Sequence, residues 1–173
     1  MDLKKEIREI QDYPKTGINF KDITTLIKNK DALNFVIDSI VDEFKEKEIT
    51  KVIGLEARGF IFGGAIASRL NAGFVPVRKK NKLPAKVLTE SYELEYGTDS
   101  VEMHVDALSE NDVVLIHDDL LATGGTALAA LRLVEKCRVK KVFFSFVCDL
   151  EFIETPEKNQ VNHYKPQVLV KYS

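Results

Sequence analysis

The chain has 173 residues, 45% of them hydrophobic, with 25 Lys and Arg against 27 Asp and Glu and a formal net charge of −2. That balance predicts no broad nucleic-acid or membrane affinity, though it leaves room for a local basic site, and the length suits one compact α/β domain. Cys137 and Cys148 fit no metal or redox spacing, and His104, His117 and His163 do not cluster, so a reduced cytoplasmic protein without structural zinc is expected.

The N-terminus MDLKKEIREI is charged from its second residue and carries no apolar signal core, and no apolar stretch approaches membrane-spanning length. Leu3, Ile7 and Ile10 recur at helical spacing and predict a short amphipathic helix, broken at Tyr13-Pro14-Lys15-Thr16-Gly17. Asp31 is the candidate cap of a helix whose apolar face is Leu33, Val36, Ile37, Ile40, Val41 and Phe44. KVIGL, from Lys51, reads as a short buried strand, and EARGF opens a helix with Phe60, Ala67 and Leu70 among its expected core residues. Residues 74 to 78 are strand-like, with Pro76 arguing for an edge position or a special bend. Residues 79 to 90 read as a polar, basic loop. SYELEY and SVEMHV alternate on either side of Gly97-Thr98-Asp99 and predict a β-hairpin. A strand over 112 to 117, a helix over 126 to 137, a strand from Val142 and a last one at VLVKY complete the pattern. Strands alternating with helices imply βαβ units and a mainly parallel sheet flanked by helices, here with a hairpin inserted.

In such a sheet, ligands bind beyond the carboxyl ends of the strands. There the sequence places Asp118-Asp119, then Ala122-Thr123-Gly124-Gly125-Thr126, then a helix start. Glycines let successive N–H groups converge on an anion, the helix start adds unpaired N–H groups and a positive dipole end, and Thr123 and Thr126 add hydroxyls. That suits a phosphate monoester. The acidic pair suits a vicinal diol or, alternatively, a hydrated cation. One ligand carrying phosphate and diol, such as ribose 5-phosphate, satisfies both. The Gly-x-x-x-x-Gly-Lys-Ser/Thr spacing of a nucleotide P-loop is absent. A second turn, Glu56-Ala57-Arg58-Gly59, and a basic group, Arg78-Lys79-Lys80 with Lys82, fall at the same end of the sheet, so a polyanion is favoured.

DDLLATGGT resembles the phosphoribosyl pyrophosphate signature of type I phosphoribosyltransferases. EARGF, FVPVRK, KLP, SYELEYGTDS and DYPKTGINFKDIT are together similar to the adenine-specific members, over about Gln11 to Asp149. The resemblance implies a single-domain type I phosphoribosyltransferase-like fold over 1–173, with a base-binding segment at about 11–30 and a hairpin lid at about 79–103. It implies transfer of the phosphoribosyl group to adenine, giving AMP and pyrophosphate with Mg²⁺ on the donor, in a cytoplasmic homodimer that binds neither nucleic acid nor membrane. Carried over, Ala122, Thr123, Gly124, Gly125 and Thr126 would cradle the 5-phosphate and Asp118 and Asp119 would take the ribose hydroxyls. Arg58, with Arg78, Lys79 and Lys82, would hold the pyrophosphate. Ile18, Asn19, Phe20, Lys21 and Leu120 would form the adenine pocket. Glu95 would be the catalytic glutamate, with Tyr96 beside it on the lid. A relative acting on hypoxanthine, guanine or xanthine, or a regulator that binds the donor without catalysis, are the rival readings. Three places depart from the pattern: His117 where a small apolar residue is expected, Cys137-Arg138 in place of Gly-Gly, and Lys21 where some relatives carry Arg. The tail from Glu151 receives no function.

Overall fold

The computed structural model describes residues 1–94 and 97–173. They separate into two compact units, Met1–Ser39 and Ile40–Ser173.

In the first unit the expected N-terminal helix is replaced by a 3₁₀ turn, Leu3–Glu6, and a strand β1, Arg8–Gln11. β1 pairs antiparallel with β2, Asn19–Asp22, setting Ile10 opposite Phe20. Leu3 and Ile7 are buried, as a helix would have made them, but Ile10 belongs to the ladder. A short helix α1, Thr24–Lys28, follows. Helix α2 runs Lys30–Phe44. Its cap is Asn29 rather than Asp31: the Asn29 side-chain oxygen accepts from the amides of Asp31, at 3.0 Å, and Ala32, at 3.4 Å. Ala32, Val36, Ile37, Ile40 and Phe44 are its buried stripe, while Leu33 and Val41 are only half-buried.

The second unit is built on a seven-stranded sheet. Its strands are β3 Lys51–Leu55, β4 Gly73–Lys79, β5 Val87–Leu94, β6 Gly97–His104, β7 Val113–Leu121, β8 Lys141–Leu150 and β9 Gln167–Tyr172. The order is β5-β6-β4-β3-β7-β8-β9. β4, β3, β7, β8 and β9 are mutually parallel, while β6 and β5 run antiparallel at one side. Pro76 therefore lies on an interior strand. β4 meets β6 only at Arg78 and Lys79, so on that side Pro76 owes no ladder hydrogen bond and the strand behaves locally as an edge. The predicted hairpin is present, but its first strand begins at Val87 and Gly97, Thr98 and Asp99 belong to its second, with Leu94 opposite Gly97. Glu95 and Tyr96 lie outside the described residues.

Helix α3, Gly59–Arg69, connects β3 to β4, and α4, Gly125–Lys136, connects β7 to β8. The two crossovers step in opposite directions along the sheet, so right-handed connections put their helices on opposite faces. Both faces are buried, which is why β7 reads as a continuous apolar run. Val114 and Ile116 pack with Ala127, Leu131 and Val134 of α4, and the other face carries His117 against Phe62 of α3. Phe62, Ile66 and Ala67 are the buried apolar side chains of α3, Ala67 as expected; Phe60 and Leu70, also expected in the core, are half-buried. A helix unforeseen from sequence, α5 Pro156–Asn162, leads into β9.

Cys137-Arg138 ends α4 in the same backbone form that a glycine would give. Arg138 follows the Cys137 cap with φ 54°, the left-handed conformation that glycine adopts at this point of a helix terminus. Arg138→Gly should stabilise the protein by about 1 kcal/mol in denaturant unfolding, since a side chain in this conformation costs about that much. No gain would mean that the arginine side chain makes good the strain.

Candidate active site

The strand order reverses between β3 and β7, which leave the sheet's middle in the same direction. A crevice at their carboxyl ends is where doubly wound sheets bind ligands. Two loops leave there, and the last residues of β4 stand beside them.

The first loop follows β7. The strand continues to Leu121, through the acidic pair instead of stopping before it. Adjacent strand residues leave in different directions, yet the two carboxyls stay within hydrogen-bonding reach of each other. Asp118 lines a cavity of about 80 Å³ together with residues 120–127. Asp119 instead lies with Oδ2 3.0 Å from Arg58 Nε, an ion pair on which the N–H is not aligned as a hydrogen bond. Leu120 is also in the cavity wall. Gly124 has φ 82° and precedes α4, so the loop reaches the helix start through a left-handed residue. Among the described residues the cavity's polar surface is therefore the Asp118 carboxyl, the loop backbone of Ala122 to Thr126, and the hydroxyls of Thr123 and Thr126.

The acidic pair titrates as a unit. Burial and the neighbouring Asp119 charge push the Asp118 carboxyl well above the usual carboxylate range. Burial also raises Asp119, with Arg58 opposing it. Both carboxyls are therefore harder to ionise than an exposed aspartate. His117, the residue before the pair, is fully buried and points to the α3 face, where its Nδ1 is 2.9 Å from Ser145 Oγ. Burial depresses it to about 3. A neutral imidazole locked in the core is a packing residue.

The second loop follows β3. Gly59 opens α3 directly against β7: a Cβ there would lie 2.9 Å from the His117 carbonyl oxygen and 3.0 Å from Asp118 Oδ1. Only a residue without a side chain lets the Arg58 turn approach the acidic pair this closely.

Glu56, not singled out from the sequence, organises the cations. Its Oε2 accepts from the Lys79 amide at 2.7 Å and lies 3.4 Å from Arg78 Nε, while its Oε1 is 2.5 Å from Lys82 Nζ. Burial alone would raise Glu56, but the hydrogen bonds from Lys82 and the Lys79 amide outweigh it and hold the carboxyl below its ordinary value. Lys79 turns its ammonium to the hairpin, where it bonds Asp99 and the Tyr92 hydroxyl. The ring edge of Tyr92 in turn stands where a Cβ on Gly125 would come within 3.1 Å. Arg58, Arg78 and Lys82 are thus gathered near the crevice, and Lys79 is held in the hairpin. Glu56 escapes sequence reasoning because its role depends on the β3–β4 register, seen also in its own amide donating to Val77 O at 3.0 Å.

In the first unit, Asn19, Phe20 and Lys21 lie on β2 with Ile18 just before it. Phe20 meets Tyr13 edge to face at 5.3 Å between ring centres. Lys21 is buried and its Nζ is 3.0 Å from Glu9 Oε2, which also accepts from Asn19 Nδ2 at 2.6 Å. Its charge is directed to a carboxylate, for which a planar guanidinium is not required.

Among the described residues no group of three or more His, Cys, Asp or Glu side chains is arranged to hold a metal, and no helix is long and apolar enough to cross a membrane. Residues 20–165 match the family model described as a phosphoribosyl transferase domain. An adenine phosphoribosyltransferase of Brachyspira hyodysenteriae is 49% identical over 172 residues, covering 99% of this chain and 100% of that one. One from Phocaeicola vulgatus is 56% identical, covering 86% and 85%. The crystal structure of adenine phosphoribosyltransferase from Rhodothermus marinus superposes with a TM-score of 0.90 at 47% identity, over 98% of this chain and 96% of that one. An APRTase from Giardia lamblia, solved with 9-deazaadenine, gives 0.91 at 36% identity, over 99% and 97%. The matched span, the identity and the near-complete superposition together place this chain in the phosphoribosyltransferase family, among the adenine phosphoribosyltransferases.

Proposed function

We infer that the protein transfers the 5-phosphoribosyl group of phosphoribosyl pyrophosphate to adenine, giving AMP and pyrophosphate in purine salvage. The observation that carries this reading is the β7 loop, where one acid, a left-handed glycine and a helix start surround a single small cavity. Residues 122 to 126 cradle the 5-phosphate with backbone N–H groups, the two threonine hydroxyls and the positive end of α4. Asp118 lines the same cavity and, as a carboxylate, accepts from the ribose hydroxyls. Asp119 takes the second hydroxyl once Arg58 turns from it to the pyrophosphate. Arg78, Lys79 and Lys82 assist, released from Glu56 and Asp99 by an anion of higher charge.

Cleavage at the anomeric carbon leaves positive charge on the sugar and negative charge on pyrophosphate. Once moved onto the diphosphate, these cations stabilise the departing charge, and a closed lid keeps water from the sugar cation. The donor set fits Mg²⁺ held chiefly by the substrate: the acids at the end of β7 are two, and the described residues offer no third close enough to complete a protein cage. Bound there, the ion neutralises charge on the leaving pyrophosphate. In the first unit, Ile18, Asn19, Phe20 and Lys21 contact adenine, with Phe20 against the ring. A backbone C=O and N–H pair near Ile18 and Asn19 reads the N6 donor and N1 acceptor, and hypoxanthine would leave both groups unpaired. A homodimer in the cytoplasm, with residues 79–103 as lid, completes the reading.

Mixing the donor and Mg²⁺ with adenine, hypoxanthine, guanine and xanthine in turn tests it. AMP from adenine alone is expected. IMP or GMP would reassign the base, and tight donor binding without pyrophosphate release for any base would make the protein a binder only. Glu95, with Tyr96 beside it on the lid, manages the purine proton. Glu95→Gln should lower turnover by about 10²-fold or more while donor affinity stays nearly intact. Unchanged turnover would remove Glu95 from the mechanism.

A further inference from the structure

We propose that Thr155, on the segment after β8, is a positioning residue for the 5′-phosphate loop. The proposal rests on the reading of residues 122–126 as a phosphate cradle. As a helix cap, Thr155 needs only one hydrogen bond, and it has that bond: its Oγ1 accepts from the Lys158 amide at 3.0 Å. The hydroxyl proton goes elsewhere. It is donated to the carbonyl oxygen of Thr123, inside the loop. In a trans peptide the C=O and the following N–H point in opposite directions. Holding Thr123 O toward α5 therefore turns the Gly124 N–H away from α5, toward the side where the cavity lies; no residue of 155–158 lines that cavity.

Two further contacts make the hold rigid. Gly124 abuts the backbone of α5, where a Cβ would lie 2.7 Å from Lys158 Cα and 2.8 Å from its nitrogen. Lys158 is itself anchored: its side chain is buried, with Nζ 2.5 Å from Asp149 Oδ1 and donating to Leu150 O at 2.6 Å. Asp149 stands opposite Leu121 in the β7–β8 ladder, so the anchor sits beside the strand end that launches the loop. The tail thus backs the cradle from outside the cavity lining.

The test compares wild type with Thr155→Val, Thr155→Ser and Asn159→Gly. Valine keeps the shape and loses both bonds, serine keeps both, and glycine at exposed Asn159 weakens α5 while leaving the hydroxyl in place. Titration of wild type with ribose 5-phosphate, followed through the Gly124 and Gly125 amide resonances, comes first; if those resonances do not respond, the cradle reading itself fails and the proposal falls with it. If they respond, Thr155→Val should raise the KM for phosphoribosyl pyrophosphate and the Kd for ribose 5-phosphate about tenfold, as expected for one misdirected donor. The KM for adenine and kcat should stay within about twofold, with serine restoring wild-type values. Wild-type phosphate affinity in Thr155→Val would overturn the proposal with the cradle intact. So would an equal KM rise in Asn159→Gly, which would reduce Thr155 to a helix cap.

Discussion

Gly124→Ala should destabilise the protein by about 2–4 kcal/mol and all but remove its affinity for ribose 5-phosphate. Two independent costs add. At φ 82° an alanine is held in the left-handed region, at about 1 kcal/mol. Its methyl group would also lie within 2.8 Å of two Lys158 backbone atoms, and overpacking of this kind costs about 1–3 kcal/mol. The obstacle cannot swing aside as a side chain would, because α5 is capped by Thr155 and tied to β8 through Lys158. Relief must come from the loop, which is the element that has to keep its shape. Gly125→Ala is the informative contrast. Its methyl group would meet the Tyr92 ring edge at 3.1 Å, a side chain that can give, and its φ is not left-handed. Urea unfolding and calorimetric titration of both variants should rank Gly124→Ala well below Gly125→Ala in stability and affinity. Equal effects would show that the contact with α5 does not constrain the loop.

Acid should unfold the protein partly through His117. With its Nδ1 on Ser145 and its Nε2 lacking a partner among the described residues, the buried ring has no group to stabilise a second proton. Its folded pKa is about 3, whereas an unfolded histidine titrates near 6.5. The stability that depends on the neutral ring is complete above about pH 6.5 and falls as pH drops toward 3, by about 1.4 kcal/mol per unit where the difference is fully developed, hence about 2 kcal/mol by pH 5. Asp118 and Asp119 act in the opposite sense. Their raised values mean that the folded chain holds protons the unfolded chain has released, so they favour folding as pH falls toward the ordinary carboxylate range. The comparison that isolates His117 is therefore the difference in slope between wild type and His117→Val over pH 4 to 7, about two-thirds of one proton or more. Parallel profiles would mean that the histidine titrates alike in the folded and unfolded chain.

The sheet's centre was legible because its chemistry is local. β3, β7 and β8 are short apolar runs bounded by polar turns, and α4 shows its stripe beside a glycine start. The first thirty residues were harder. A 3₁₀ turn followed by a strand happens to space Leu3, Ile7 and Ile10 like a helix, and only pairing with β2 reveals Ile10 as a ladder residue. The extent of β7 was also hidden: Asp118 and Asp119 look like loop residues, and it is pairing with β8 as far as Leu121 that keeps them in the strand. Arg58, Asp118 and residues 122–126, proposed from type and order, do lie at the carboxyl ends of β3 and β7. Glu56, Asp99 and Thr155 were not proposed, since each acts on residues brought to it by strand register or by a distant helix. Thr155-Pro156 was nonetheless a visible helix start, with a hydroxyl cap before a first-turn proline.

The carboxylates facing Arg58, Arg78, Lys79 and Lys82 bear on how fast the donor is captured. With those four cations already compensated and the chain slightly negative overall, little long-range pull reaches an approaching polyanion, and salt screens whatever extends past about 10 Å. Encounter is then governed less by steering than by how often these ion pairs open, so the association rate should vary only weakly with ionic strength.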